Sequence, residues 1–466
     1  MSESKNYLMD LFTPVVSEEK LHTNFRFITQ GNLCVPEIEV IKKWADGFID
    51  RDNKFAKEFQ TTFNSSFWEL YLFACFKELG LSIDFSHETP DFSINSSYGA
   101  FIAEATTANQ PDGFRPEWDK DIELLLNFQT EETLRLSTIR LSNAISSKYK
   151  KYISKYSKLP HVQDKPFVIC ITPFDQPLFF SQDSLAIVRV LYAYESTLTM
   201  PGNENGEIII IGESRCFRVQ KSPGVNIELG LFTDDRMSEV SAVILNTKAT
   251  FSKVRALAKE GDYPIFFKGA RMIQSEDFSG LEPFLEPRPQ YQETILDGMH
   301  ILINPFAKYP LDLKMFEGRE VAIHSYDPET DSYLSTIPHG FLLQRRCISM
   351  VSSETAMEFK TSINEHPYQE LLPEVWEEDD LIYVGGHNGP FRDNHMAHYR
   401  GWTVMVSFCS IDKDWGTQAA QNLCYNVPQF IRANMDENIT SIGFPKWFST
   451  KEDAYSAIKQ KIDLEQ

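Results

Sequence analysis

Two rhythms of apolar and polar positions run along this chain, and the switches between them locate its elements. From Phe63 to Gly80 apolar residues fall on every side, and Phe67 to Phe76 contains a single charged residue, Glu69. The run predicts the clearest helix of the chain, opened by Asn64, Ser65 or Ser66 and stopped by Gly80. Three short extended segments follow, Leu81 to Phe85, Phe92 to Ile94 and Ala100 to Thr106, with turn residues at Asn95 to Gly99. A helical stripe then passes through Leu134, Leu141, Ile145, Lys148 and Tyr152 and ends near Tyr156, with Lys150 and Lys151 rotated away from it. Beyond Pro160 and Pro166, Phe167 to Ile171 reads as a fully buried strand. Helix, three strands, helix and strand in that order predict an α/β layer with a central sheet.

Further along, the pattern predicts helices over Ser184 to Leu198 and Phe251 to Lys259, with strands at Ile208 to Ile211 and Val240 to Leu245. The proline-rich run from Pro283 to Pro289 marks a candidate boundary. After it come strands at Leu381 to Val384 and Thr403 to Phe408, and an acidic loop over Glu374 to Asp380. A last helix starts at Thr450, where Thr450 and Asp453 form an acidic variant of the capping box. The expected organisation is an N-terminal extension over 1–60, an α/β domain over 61–285 and an additional α+β C-terminal region over 290–466.

Composition narrows the class. With 42% hydrophobic and 24% charged residues in 466, the chain has the profile of a globular protein. No apolar stretch is long enough to cross a bilayer, and no apolar segment follows Met1 to Lys5 as a secretory signal would require. The seven cysteines are scattered and odd in number, as expected of reduced thiols in a cytoplasmic protein. A formal net charge of -21 opposes nucleic-acid binding by the surface as a whole, so such binding needs a segment that reverses the sign. Arg135 to Lys165 is such a segment: Arg140, Lys148, Lys150, Lys151 and Lys155 lie within it, interleaved with Tyr149, Tyr152 and Tyr156. An ordinary solvated helix face is the competing reading.

The candidate chemistry lies in carboxylates. Asp91 opens the second strand after Thr89-Pro90, and Glu104 sits in the third. With a turn over Asn95 to Gly99, Ile94 faces Ala100 and Asp91 faces Ala103, one residue from Glu104. Alternation puts Ile102, Glu104 and Thr106 on one face. Two carboxylates converging at one sheet end suit a hard divalent cation. Glu69, on an apolar helix, needs a partner, a metal or a route to solvent.

These residues carry a resemblance. Pro90-Asp91, then Glu104-Ala105-Thr106, preceded by a helix bearing Glu69, resembles the PD-(D/E)xK nuclease superfamily, best over Phe63 to Ile171. The resemblance implies a restriction-endonuclease-like central mixed sheet flanked by helices. It implies metal-dependent DNA endonuclease activity, with Glu69, Asp91, Glu104 and the Ala105 carbonyl around Mg²⁺, or Mn²⁺ in its place. Region 61–285 would then be the nuclease domain and 290–466 a recognition or assembly module contacting a partner protein or a second copy. A role in prokaryotic restriction or phage defence follows by analogy only. The family's usual lysine position holds Thr106, which lacks a positive charge. Some members draw that lysine from the next helix, which points to Lys148, with Arg140, Lys150, Lys151 and Lys155 as DNA-backbone contacts.

Thr106 also supports a rival expectation, a nuclease fold that has lost catalysis and serves as a binding or scaffold subunit. His387, His395, His398 and Asp393 match no strong zinc spacing. There is neither a G-x-S-x-G elbow nor a P-loop.

Overall fold

The computed structural model describes residues 9–29, 34–110, 116–118, 130–177, 179–181, 183–196, 199–201, 208–210, 213–261, 265–274 and 279–351, strands at 382–383, 392–399, 402–409, 414–421 and 441–443, and the stretch 448–465. The protein is α/β, built on a mixed eight-stranded sheet. Its strands are β1 (Ser82–Asp84), β2 (Phe92–Ser96), β3 (Gly99–Asn109), β4 (Phe167–Phe174), β5 (Ala242–Asn246), β6 (Met299–Ile303), β7 (Ala322–Asp327) and β8 (Ser332–Thr336). They lie in space in the order in which they occur along the chain. The pairs β3–β4, β4–β5 and β6–β7 are parallel, and the others antiparallel.

Strand alternation divides the core into two layers. Ala103, Val168, Cys170 and Ile244 face one side, and Ile102, Phe167, Ile169 and Ile171 the other. On the first side lie α1 (Thr23–Thr29), α2 (Val35–Ala45), α3 (Phe55–Thr61) and α4 (Phe63–Glu78). α4 is apolar all round because it is sandwiched: it meets β3 on one flank and α2 and α3 on the other. The indole of Trp68 donates to the Cys170 carbonyl at 3.1 Å, pinning α4 to β4. The expected N-terminal extension is thus part of this core, contributing Leu11, Phe25, Ile41 and Phe59.

The predicted start of α4 is corrected. Thr62 is its N-cap, and Asn64, Ser65 and Ser66 lie inside the helix. Its end is as expected. Gly80 takes φ 72°, the Gly80 N–H meets the Lys77 carbonyl, and the Leu81 N–H meets that of Phe76. This paired arrangement satisfies the last carbonyls and requires a left-handed residue, which glycine adopts without strain.

α5 (Thr130–Ser154) covers the second side with α6 (Leu185–Tyr192), and Leu134, Leu141, Ile145 and Tyr152 are buried as the stripe predicts. α6 is shorter than expected: Ala193 takes φ 51°, and the chain enters the strand Tyr194–Ser196. α7 (Phe251–Leu257) follows β5, and α8 (Lys451–Glu465) is capped by the Thr450 hydroxyl accepting from the Asp453 N–H at 3.1 Å. No helix among the described residues is long and apolar enough to cross a membrane. Cys34, Cys75, Cys170, Cys216 and Cys347 are free thiols.

A second eight-stranded sheet is antiparallel throughout, in the order 279–287, 265–274, 342–351, 382–383, 392–399, 402–409, 414–421, 441–443. The expected segments 61–285 and 290–466 do not coincide with the sheets. Central strands β6 to β8 follow residue 290, while the strands Ile265–Gln274 and Ser279–Pro287, which precede it, belong to the second sheet. Glu374 to Asp380 lies outside the described residues.

Buried charge marks the seam between the sheets. Lys253 on α7 pairs with Glu293 at 2.5 Å, and both side chains are fully buried. Arg345 from the strand Leu342–Val351 approaches the second Glu293 oxygen at 3.2 Å, and the Tyr291 hydroxyl donates to it at 2.7 Å. Nearby, Arg271 forks onto Asp297 at 3.0 and 3.1 Å. A second chain crosses the sheet itself. The Lys248 ammonium and the His300 imidazole both meet Asp183 at 3.1 Å, and His300 Nδ1 lies 2.9 Å from His324 Nε2. The Tyr333 hydroxyl ends the chain 2.6 Å from His324 Nδ1. Burial, reinforced by His300, pushes His324 down to about 3, so it stays neutral.

Candidate active site

The hairpin is tighter than expected, and this changes the facing residues. Ser96 pairs with Gly99 and Phe92 with Ala103, leaving Ser97 and Tyr98 as a two-residue turn. Carried one residue further, the same register sets Asp91 opposite Glu104 itself, not opposite Ala103. The Ala105 N–H donates to Asp91 Oδ2 at 2.7 Å, which holds the aspartate against β3. Arg51 donates to the Asp91 carbonyl at 3.1 Å and to the His87 carbonyl, fixing the loop before Asp91 from outside. From the far side of the same loop, the His161 ring bonds the Thr89 carbonyl at 2.8 Å and stacks on His87.

Glu104 is almost wholly buried, 1% exposed, on the α5 side of the sheet. Lys148 Nζ lies 2.8 Å from its Oε1 and Lys151 Nζ 2.9 Å from the same oxygen. The Tyr156 hydroxyl donates to Oε1 as well, at 3.1 Å. Oε2 is buried and has no hydrogen-bond partner. Burial by itself would raise the Glu104 carboxyl, but the Lys148 charge and the hydrogen bonds from both lysines hold it below its ordinary value. Burial and then Glu104 keep the Tyr156 phenol protonated, pushed up to about 12, so it remains a donor.

Lys148 therefore turns inward, as the stripe predicts. Lys151 departs from the expected orientation: rotated away from the stripe in helical projection, it nevertheless reaches inward to Glu104. It also lies over the Tyr156 ring, 4.8 Å from its centroid. The two lysines are three positions apart, so they sit on neighbouring faces of α5, and a long flexible stem bridges the difference. Tyr156, beyond the helix end, was not anticipated in this role. Arg140 is turned back onto the Asn109 carbonyl at the end of β3, at 2.8 Å. Lys150 on α5 and Lys155 just beyond its end are exposed. His387 lies outside the described residues, and of His395, His398 and Asp393 only the strand is described.

Glu69 comes from the opposite side, on α4, and the charge of Asp91 acts on it more strongly than that of Glu104. Burial, then the charge of Asp91, pushes Glu69 up to about 8, with Arg51 acting in the other direction. Asp91 is likewise raised, by burial and then by Glu104, against Lys148 and the Ala105 N–H. Among the described residues no three carboxylate, imidazole or thiol groups stand together as a ready-made cation site. The donor set is nonetheless of the right kind: two carboxylates, one with an orphaned buried oxygen, beside a strand backbone.

The raised Glu69 predicts a pH dependence. The folded protein binds a proton that the unfolded chain releases above 4.5, so the stabilisation is complete below that value and fades as pH rises towards about 8. Metal-free protein should lose thermal stability across this window, and Glu69→Gln should flatten the loss. Equal pH profiles for both proteins would contradict the assigned environment of Glu69.

No family model matches the chain, and no similar protein was found among the curated proteins or the solved structures.

Proposed function

We propose that this chain is a divalent-cation-dependent DNA endonuclease of restriction-endonuclease-like fold, with Asp91 and Glu104 at its centre. The observation that carries the reading is the state of Glu104: an anionic carboxylate facing two lysines, with one buried oxygen unpartnered, opposite Asp91. Asp91, Glu104 and the Ala105 carbonyl would hold Mg²⁺ or Mn²⁺, with Glu69 reaching the site through Asp91. When bound, the ion supplies a water of lowered pKa and offsets charge on the phosphate. Lys148 supplies the positive charge that Thr106 lacks and orients the attacking water. The exposed Lys150 and Lys155 would take the DNA backbone, a local basic face on an acidic protein.

Supercoiled plasmid, linear duplex and single-stranded DNA, each with Mg²⁺, Mn²⁺ or EDTA, test the proposal. Cleavage should require the cation and disappear in Asp91→Ala and Lys148→Ala. Cleavage that survives in Asp91→Ala would sink the site assignment. One observation favours a second reading, a catalytically silent scaffold: Glu104 is already neutralised by lysines. That reading predicts DNA binding with no cation uptake and no cleavage of any substrate.

A further inference from the structure

Glu104 receives all three of its donors on one oxygen. Lys148, Lys151 and Tyr156 converge on Oε1, and Oε2 has none. Two ammonium groups on one carboxylate carry one more positive charge than that acid neutralises. The lysines also differ from the acid in freedom. Their side chains are 21% and 41% exposed, whereas Glu104 is 1% exposed and fixed in the middle of β3. The ammonium groups can therefore leave without disturbing the sheet, and Glu104 cannot follow them. Where it meets Glu104, Lys151 also lies over the Tyr156 ring, a contact that does not depend on the carboxylate.

An incoming phosphodiester offers two anionic oxygens to such groups. Once the lysines turn to it, Glu104 keeps the Tyr156 hydroxyl alone, and a buried carboxylate with one neutral donor demands a cation. We infer that Lys148 and Lys151 exchange Glu104 for the phosphate of a DNA strand, so that DNA and a divalent cation bind cooperatively, with Lys151 a second phosphate-contacting residue. The inference rests on the nuclease reading above.

Linkage makes the coupling measurable from both ends, because the factor by which DNA tightens the cation must equal the factor by which the cation tightens DNA. Ca²⁺ binding to the full-length protein is followed by calorimetry with and without a short duplex of mixed sequence, at fixed ionic strength. Duplex binding is followed by fluorescence anisotropy with and without Ca²⁺. Both affinities should tighten by the same factor, about tenfold or more. The K148Q/K151Q protein should bind Ca²⁺ without DNA about as tightly as wild type does with it, and show little coupling. K151Q alone, at the more exposed position, should show an intermediate value. Equal Ca²⁺ affinity with and without DNA, abolished by Asp91→Asn, would overturn the exchange and leave the nuclease site standing. Absence of Ca²⁺ uptake in either state, with wild type matching Asp91→Asn, would overturn both.

Discussion

Glu104→Gln should lower DNA cleavage by at least ~10²–10³-fold while the protein stays folded. The amide keeps the shape of the acid and still accepts from Tyr156 Oη and a lysine, so the packing between β3 and α5 is preserved. It removes the charge that the two ammonium groups share and that the proposed cation would need. Lys148 and Lys151 are both partly exposed and can turn to solvent, which limits the cost in stability. Glu104→Ala should be worse on stability and no worse on cleavage, because it also opens a void beneath Tyr156. Plasmid cleavage rates beside urea unfolding curves separate the two effects. A Glu104→Gln protein that cleaves at the wild-type rate would remove Glu104 from the proposed site.

The second large effect lies at the seam. Glu293→Ala should destabilise the protein by ~3–5 kcal/mol, since it leaves buried Lys253 and Arg345 without their shared counter-charge. Burial already pushes the Lys253 ammonium below its ordinary value, with Glu293 the main group holding it charged. Replacing both partners, as in Lys253→Met with Glu293→Leu, should recover part of the loss. It should not recover all of it, because Arg345 and the Tyr291 hydroxyl also depend on that carboxylate. Urea unfolding of the single and double variants reads the difference, and a loss below ~1 kcal/mol for Glu293→Ala would show that the network is not held as described.

Much of the first half was legible in the sequence because its signals are local. The Phe67 to Phe76 run, the Gly80 stop and the α5 stripe that turns Lys148 inward depend on neighbours within a turn or two. Asp91 and Glu104 were legible as a pair, but their register was misread by one residue. Five turn-forming residues, Asn95 to Gly99, hid a turn made by Ser97 and Tyr98 alone. Lys151 was missed because a helical projection fixes Cα directions and not where a long side chain ends. The prolines at 283 and 287 suggested a domain boundary, yet they lie in the strand Ser279–Pro287, at the end of the second sheet's order. An edge strand tolerates them because its outer backbone pairs with nothing in the sheet. Lys253, Glu293 and Arg345 gave no local signal, being joined only by the fold.

The order of the central strands has a consequence in time. Every residue proposed to hold the cation or the phosphate has been synthesised once Tyr156 is made, and β4, which supports Glu104, follows directly. Its other neighbour, β5, is synthesised several seconds later, at ~5–20 residues per second. During that interval Phe167 to Phe174, apolar on both faces, presents an unpaired edge to the cell. The nascent protein therefore passes through a stage at which its candidate site is written in full, while the sheet beneath it is half built and open to wrong partners.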